Sequence, residues 1–167
     1  MGDAHRQTLS EPRIVEGRSM RIAGIGREYA FDQMNEIPAL WEQFVPQIDR
    51  IPGQGGRIAY GVCYKALDPE TGFGYLAGIE TAPDADIPAD LNEFNIPALR
   101  YVVFQHEGHV SRIPETMNAI ENDWLPDSGH VFSDTGPQGL LFFERYGEGF
   151  DVRAGSGDVE IWLSIAA

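Results

Sequence analysis

The spacing of apolar and polar positions changes period several times along the chain. Between Pro12 and Phe31, Ile14, Ile22 and Ile25 stand among short polar residues and predict one or two extended segments. From Ile37 the period becomes helical. Ile37, Leu40, Trp41, Phe44, Val45 and Ile48 fall at i, i+3, i+4, i+7, i+8 and i+11, one stripe of an amphipathic helix. Asn35 stands where an N-cap belongs, Pro38 suits the first turn, and Pro46 should end or bend the helix before the glycine-rich IPGQGG (51–56). Alternation then returns in RIAYGVCYKAL (57–67). It sets Ile58, Tyr60, Val62 and Tyr64 on one face and Ala59, Gly61 and Cys63 on the other. After the turn signal DPETG, FGYLAGIE (73–80) groups Phe73, Tyr75, Ala77 and Ile79, so the two runs predict a β-hairpin.

TAPDADIPADLNEFNIP (81–97) is rich in proline and acid, carries no clear period, and is expected to be a connection. It offers a possible cover for a cleft. Beyond it the order repeats: a strand in ALRYVVFQHEG (98–108), a helix in SRIPETMNAIENDWLPDSG (111–129) with Ser111 as expected N-cap, and strands in LLFFERYGEG (140–149) and DVEIWLSI (158–165). Each half therefore predicts strand, helix, strand, strand. The expected fold is α+β, a tandem βαββ duplication whose antiparallel strands carry both helices on one side and leave a groove between the halves. The expected organisation is a polar lead-in over residues 1–11 and one domain over 12–167, with pseudo-repeats at about 12–80 and 98–167.

Composition narrows the function. The formal net charge is −14 over 167 residues, and Lys65 is the only lysine. A chain this acidic lacks the basic field that grips nucleic-acid phosphates, so direct nucleic-acid binding is not expected. Cations and basic partners suit it better. Cys63 is the only cysteine, which rules out an internal disulfide and points to a reducing, cytoplasmic setting. No apolar run is long enough for a membrane span. The two histidines of HEGH, His106 and His109, lack the HExxH spacing and a third ligand, so no metal site is expected. GQGG (53–56) and GSG (155–157) match no nucleotide-binding pattern, and Ser156 lies outside a nucleophile elbow; no cofactor is expected.

Against this background Glu144 needs an explanation, because it interrupts the apolar strand Leu140-Leu141-Phe142-Phe143. Alternation puts it on a face with Phe142 and Tyr146, away from Phe143 and Arg145. Two readings stand from the residues: a glutamate on a half-exposed strand or paired with arginine, or a carboxylate held for a cationic or protonatable ligand. Trp162 shares the less apolar face of the last strand with Glu160 and Ser164, as a surface ring or a ligand platform. Trp41 is core or pocket wall. Tyr60 and Tyr64, with Tyr75 across the hairpin, form an aromatic face that serves as core or binding wall. His106, at a strand end, is a candidate for the same cleft. Trp124 is expected to lock the turn DWLPDSG, and Cys63 to be a small buried apolar residue.

The stretches IPALWEQF (37–44), YVVFQHEGHVSRIPETMNAIENDWLPDSGH (101–130), FERY (143–146) and VEIWLSI (159–165) resemble the GyrI-like small-molecule-binding family, which includes effector-binding domains of AraC-type and MerR-type multidrug-responsive regulators. The likeness runs from about Arg21 onward and is carried mostly by the second half. It implies a cleft for aromatic, often cationic compounds, with a carboxylate at the position of Glu144 at its base and Trp162 as a platform; Trp41, Tyr60, Tyr64 and His106 join them as ligand-binding candidates from their places on the elements. About twenty residues precede the matched region, with no helix-turn-helix, so the expectation is a standalone effector-binding module. The family's other duties stay open as alternatives: hydrolysis of strained cyclopropanoid toxins in the same cleft, or a protein partner in trans such as gyrase.

Overall fold

The computed structural model describes residues 9–133, 138–151 and 153–166. Its elements are β1 (Arg13–Glu16), β2 (Met20–Ala30), α1 (Ile37–Phe44), β3 (Gln54–Lys65), β4 (Gly72–Thr81), β5 (Asn92–Ile96), β6 (Arg100–His106), α2 (Ile113–Ala119), α3 (Leu125–Ser128), β7 (Leu140–Tyr146) and β8 (Val159–Ser164). The eight strands make one antiparallel sheet in the order β1-β6-β8-β7-β3-β4-β2-β5. The halves β2-α1-β3-β4 and β6-α2-β7-β8 meet where β3 pairs with β7, and β1 and β5 extend the outer edges. This is the α+β duplication expected from the periodicity.

Both helices cover one face. Leu40 and Phe44 of α1 pack on Ala23, Cys63, Tyr75 and Ala77, while Ile113 of α2 and Ile120 just beyond it pack on Val102, Phe104, Val159 and Ile161. Phe142 of β7 touches both clusters and so marks the seam between them. Cap positions differ from expectation. Asn35 lies inside a 3-10 turn (Phe31–Glu36), where Gln33 accepts from the Ala30 N–H at 2.8 Å. Before α2, His109 Nδ1 accepts from the Ser111 N–H at 3.1 Å, so the cap lies two residues earlier than Ser111. α2 runs through a π-helical turn (Ile120–Trp124) into α3, and Trp124 there stands edge-on to Phe104 and stacks on His130.

The helix-free face is closed by the roll of the sheet. The β1–β2 and β5–β6 links contain only residues 17–19 and 97–99, yet each joins opposite ends of the strand order. Such a link spans at most about 15 Å between flanking Cα atoms, so the two edges must approach. Gly17 N–H donates to the Leu99 carbonyl at 2.8 Å and stitches one link to the other. Inside the roll lie Ile22, Tyr60, Val62, Leu76, Phe94, Ile96, Tyr101, Val103, Leu140 and Phe143, all buried.

β5 corrects the expectation of a plain connection over 81–97. Only Phe94 and Ile96 of this polar strand point inward, too few to set a period. Arg21 holds the preceding loop, donating to the carbonyls of Ala82, Pro83 and Ala85 and pairing with Glu93, while Ile87 and Leu91 of that loop pack against the α1 cluster. Of the polar lead-in, residues 1–8 lie outside the described residues; Ser10 is docked, its hydroxyl exchanging bonds of 3.1 Å with the backbone of Gln105.

Candidate functional site

Alternation along β7 decides where Glu144 goes. With Phe142 and Tyr146 it faces the helices, between Gly61 of β3 and Ile161 of β8, in the seam where the two helical clusters meet. Its carboxylate is 6% exposed. Oε1 accepts from the Tyr75 hydroxyl at 2.6 Å and the Tyr146 hydroxyl at 2.7 Å. Tyr75 sits two strands away on β4 and must cross β3 to reach it. It crosses over Gly61, where an added Cβ would collide with the Tyr75 hydroxyl and Glu144 Oε1. The missing side chain at residue 61 is therefore a condition of the site. Above, Trp41 Nε1 of α1 donates to the Tyr75 oxygen at 3.0 Å, and its ring meets Tyr146 edge-on with centroids 5.1 Å apart. Phe150 packs edge-on against the other side of Tyr146, at 4.9 Å.

The array is directional. Trp41 donates to Tyr75, Tyr75 donates to Glu144, and Tyr146 donates to the same oxygen, so every bond converges on Oε1. Among the described residues no arginine or lysine pairs with this carboxylate, and Oε2 takes no hydrogen bond. Burial pushes the Glu144 pKa above the usual carboxylate range, against the two tyrosine bonds, which favour the ionised form. The Tyr75 and Tyr146 hydroxyls are held well above their usual value, by burial first and then by the adjacent carboxylate. Burial, then Glu144, does the same to the thiol of Cys63, which packs beneath. The arrangement offers a carboxylate oxygen and ring faces to a cation, and a titratable carboxyl to a proton-transfer step.

Of the five aromatic and histidine ligand-binding candidates, Trp162, Trp41, Tyr60, Tyr64 and His106, the structure brings only Trp41 to the Glu144 array. Tyr60, Tyr64 and Trp162 belong to the opposite, rolled-in face. There Trp162 stacks on Phe143 with centroids 5.2 Å apart, Tyr60 meets Phe143 edge-on, and Tyr64 tilts over Phe94. Strand parity forbids these side chains from sharing a pocket with Glu144. Tyr75 is also not in one aromatic face with Tyr60 and Tyr64. The hairpin register pairs it with Cys63, which puts it on the other side of the sheet. His106 is on the helix face but fully engaged. Its Nε2 donates to the His109 carbonyl and its Nδ1 meets the Thr116 hydroxyl, both at 2.8 Å, so in the neutral form the ring accepts at Nδ1. Burial lowers its pKa, in keeping with that form. Sequence reasoning names Tyr75 and Tyr146 but not as partners of Glu144, although the alternation of β7 sets Tyr146 beside it, and it does not recognise Gly61 as part of the site.

A second buried carboxylate lies one strand away. Glu160 of β8 points to the rolled-in face, where it pairs with Arg13 at 2.7 Å and Arg145 at 3.6 Å and accepts from Trp162 Nε1 at 3.1 Å.

A duplicated βαββ module with both helices on one face of an eight-stranded antiparallel sheet is the class that the fold defines. The sequence pattern of the GyrI-like small molecule binding domain matches residues 10–166, and the chain belongs to that family. It is 32% identical over 140 residues to the transcriptional regulator BrlR of Pseudomonas aeruginosa, which covers 83% of this chain and 48% of BrlR, so the chain spans about half the length of that relative. Two solved structures share the fold. SAV2435, bound to tetraphenylphosphonium, matches with a TM-score of 0.68 at 19% identity over 95% of each chain. EcmrR, in a complex with DNA, matches with a TM-score of 0.62 at 13% identity over 93% of this chain and 57% of EcmrR. Among the described residues no helix is long and apolar enough to cross a membrane.

Proposed function

We propose that the chain binds a hydrophobic, cationic small molecule in the seam between α1 and α2, with Glu144 as its counter-charge. One observation carries this: a buried carboxylate whose protein partners are neutral hydroxyls, set among Trp41, Tyr146 and Phe150. An ion in that position is costly to keep unpaired. A cation within about 4 Å of it gains on the order of 4 kcal/mol of Coulomb energy at the effective dielectric of a protein surface, before ring faces add cation–π attraction. SAV2435 with its phosphonium ion and the regulator BrlR fit the same reading. In that reading the domain reports the presence of such compounds to a DNA-binding partner or segment, while this acidic chain makes no grip on nucleic acid itself.

The test is a titration with tetraphenylphosphonium and with the uncharged triphenylphosphine oxide, followed by tryptophan fluorescence, on wild type and Glu144→Gln. The expected result is an affinity loss of at least about tenfold for the cation, with the neutral compound affected less than about twofold. Equal losses for both would reject the charge role. A second reading, hydrolysis of a strained cyclopropanoid ring, draws on the raised pKa of Glu144 beside two phenols, which suits a general acid or base. It requires product formation that disappears in Glu144→Gln.

A further inference from the structure

The glycine run 53–56 has no part in the seam. It opens β3, where the register with β4 jumps: Gln54 faces Thr81, the next pair is Ala59 with Ile79, and residues 55–58 bulge against Glu80. The bulge is pinned in place. Gln54 accepts from the N–H of Asp49 at 2.7 Å and donates to Asp49 Oδ1 and the Gly56 carbonyl. Asp49 itself holds a left-handed backbone, at φ 76°. Such strain persists only where the surroundings over-determine it.

Beside the bulge is a hollow of about 180 Å³, lined by Gly55 and Gly56, Arg18 and Glu80, Tyr60 and Arg145, with Ile58 as its apolar side chain from the rolled-in face. Two arginines against one glutamate leave this lining with a surplus positive charge, in a chain whose net charge is −14. Arg18 grips Glu80 through its two terminal nitrogens. Arg145 stands 3.6 Å from Glu160, which Arg13 already holds at 2.7 Å, so Arg145 shares that carboxylate with a closer arginine. Both arginines act on the Tyr60 hydroxyl, drawing its pKa down against the larger upward push of burial.

We infer that this hollow is a second ligand site, on the opposite side of the sheet from Glu144, for the carboxylate or phosphate group of a small oxyanion. Arg145 and Arg18 supply charged, fork-shaped donors, Tyr60 supplies a hydroxyl, and the two glycines leave room for the anion to approach the backbone. The site is independent of the seam, because strand parity separates Arg145 from Glu144.

Two NMR titrations at constant ionic strength, one with inorganic phosphate and one with acetate, test this through the amide signals of Gly55 and Gly56. A saturable shift is expected in at least one of them. Phosphate alone would mark a phosphorylated ligand, and acetate alone a carboxylate. The affinity should fall at least about tenfold in Arg18→Gln. The side chain of Arg18 is 68% exposed, so its truncation leaves the core intact. Gly55→Leu should abolish the shift still read at the Gly56 amide by filling the hollow, since a Cβ at residue 55 meets only the Glu80 carbonyl, at 3.6 Å. Glu144→Gln should leave the oxyanion affinity within about twofold, which separates this site from failure of the cation reading. Shifts that grow without saturation in both titrations, or persist unchanged in Arg18→Gln, would overturn the inference.

Discussion

Glu144 and Glu160 are carboxylates on neighbouring strands, 6% and 7% exposed, and they could hardly be housed more differently. Glu160 faces the rolled-in side and is met by two arginines and a tryptophan N–H. Glu144 faces the helices and is met by two tyrosine hydroxyls, both on one oxygen. Exposure is the same, so exposure does not distinguish the two carboxylates. The separating feature is whether the protein supplies the opposite charge itself. Glu160 is internally neutralised and ties β1 and β7 to β8. Among the described residues Glu144 is met by dipoles alone, and on the proposed reading its counter-charge comes from the ligand.

This contrast predicts opposite responses to mutation. The largest effect is expected for Glu160→Ala, at about 1.5–3 kcal/mol of lost stability by urea unfolding, because the buried carboxylate's charge-assisted bond to Arg13 is lost and the Trp162 N–H is left without its acceptor. Glu144→Gln should cost less than about 1 kcal/mol, or stabilise, since it removes a desolvated charge and keeps an acceptor for the tyrosines. Reversed magnitudes would dissolve the distinction. Next comes Gly61→Ala, expected to cost about 1–3 kcal/mol by overpacking. It should also weaken tetraphenylphosphonium binding by displacing the Tyr75 hydroxyl; unchanged affinity would show that Tyr75 does not shape the site. Tyr146→Phe should cost about 0.5–1.5 kcal/mol and raise the Glu144 pKa further, as followed by carboxyl-carbon NMR.

The smallest effect is in pH. The folded protein holds Glu144 protonated at pH values where the unfolded chain has already released that proton. Raising the pH through this interval, from the ordinary carboxylate value near 4.5 up to the higher folded value, therefore lowers the stability of the ligand-free protein. Below the interval this contribution is fully present. Glu144→Gln should lack the loss, so its melting temperature should gain on wild type as the pH rises. A constant difference across pH would mean that Glu144 titrates as an ordinary surface carboxylate.

Much of the fold was legible because its helices and most strands carry clean periods: the Ile37-to-Ile48 stripe, the 57–80 hairpin and the alternation around Glu144 all predict elements that form. The face of Glu144 followed from parity within β7 alone. Its partners did not, because they depend on register between strands. Tyr75 reaches Glu144 only because Cys63 sits opposite it, and a slip of one residue would turn it to the other side. Tyr60, Tyr64 and Trp162 read as ligand walls because aromatic residues on a strand look alike whichever face they take. The pairing of β3 with β7, which assigns the faces, leaves no local mark in either strand. β5 escaped notice because an edge strand with two inward residues has too short a pattern to stand out from a loop.

The two short links that roll the sheet also bear on how the chain reaches this state. β1 and β2 are consecutive in the chain but end on opposite rims, and β1 finds its hydrogen-bonding partner in β6, from the other half. Neither half can complete its own border, so the duplication does not supply two units able to fold in turn. Folding should be slow for a chain of this size and governed by distant pairings, with a single cooperative transition in which both halves arrive together.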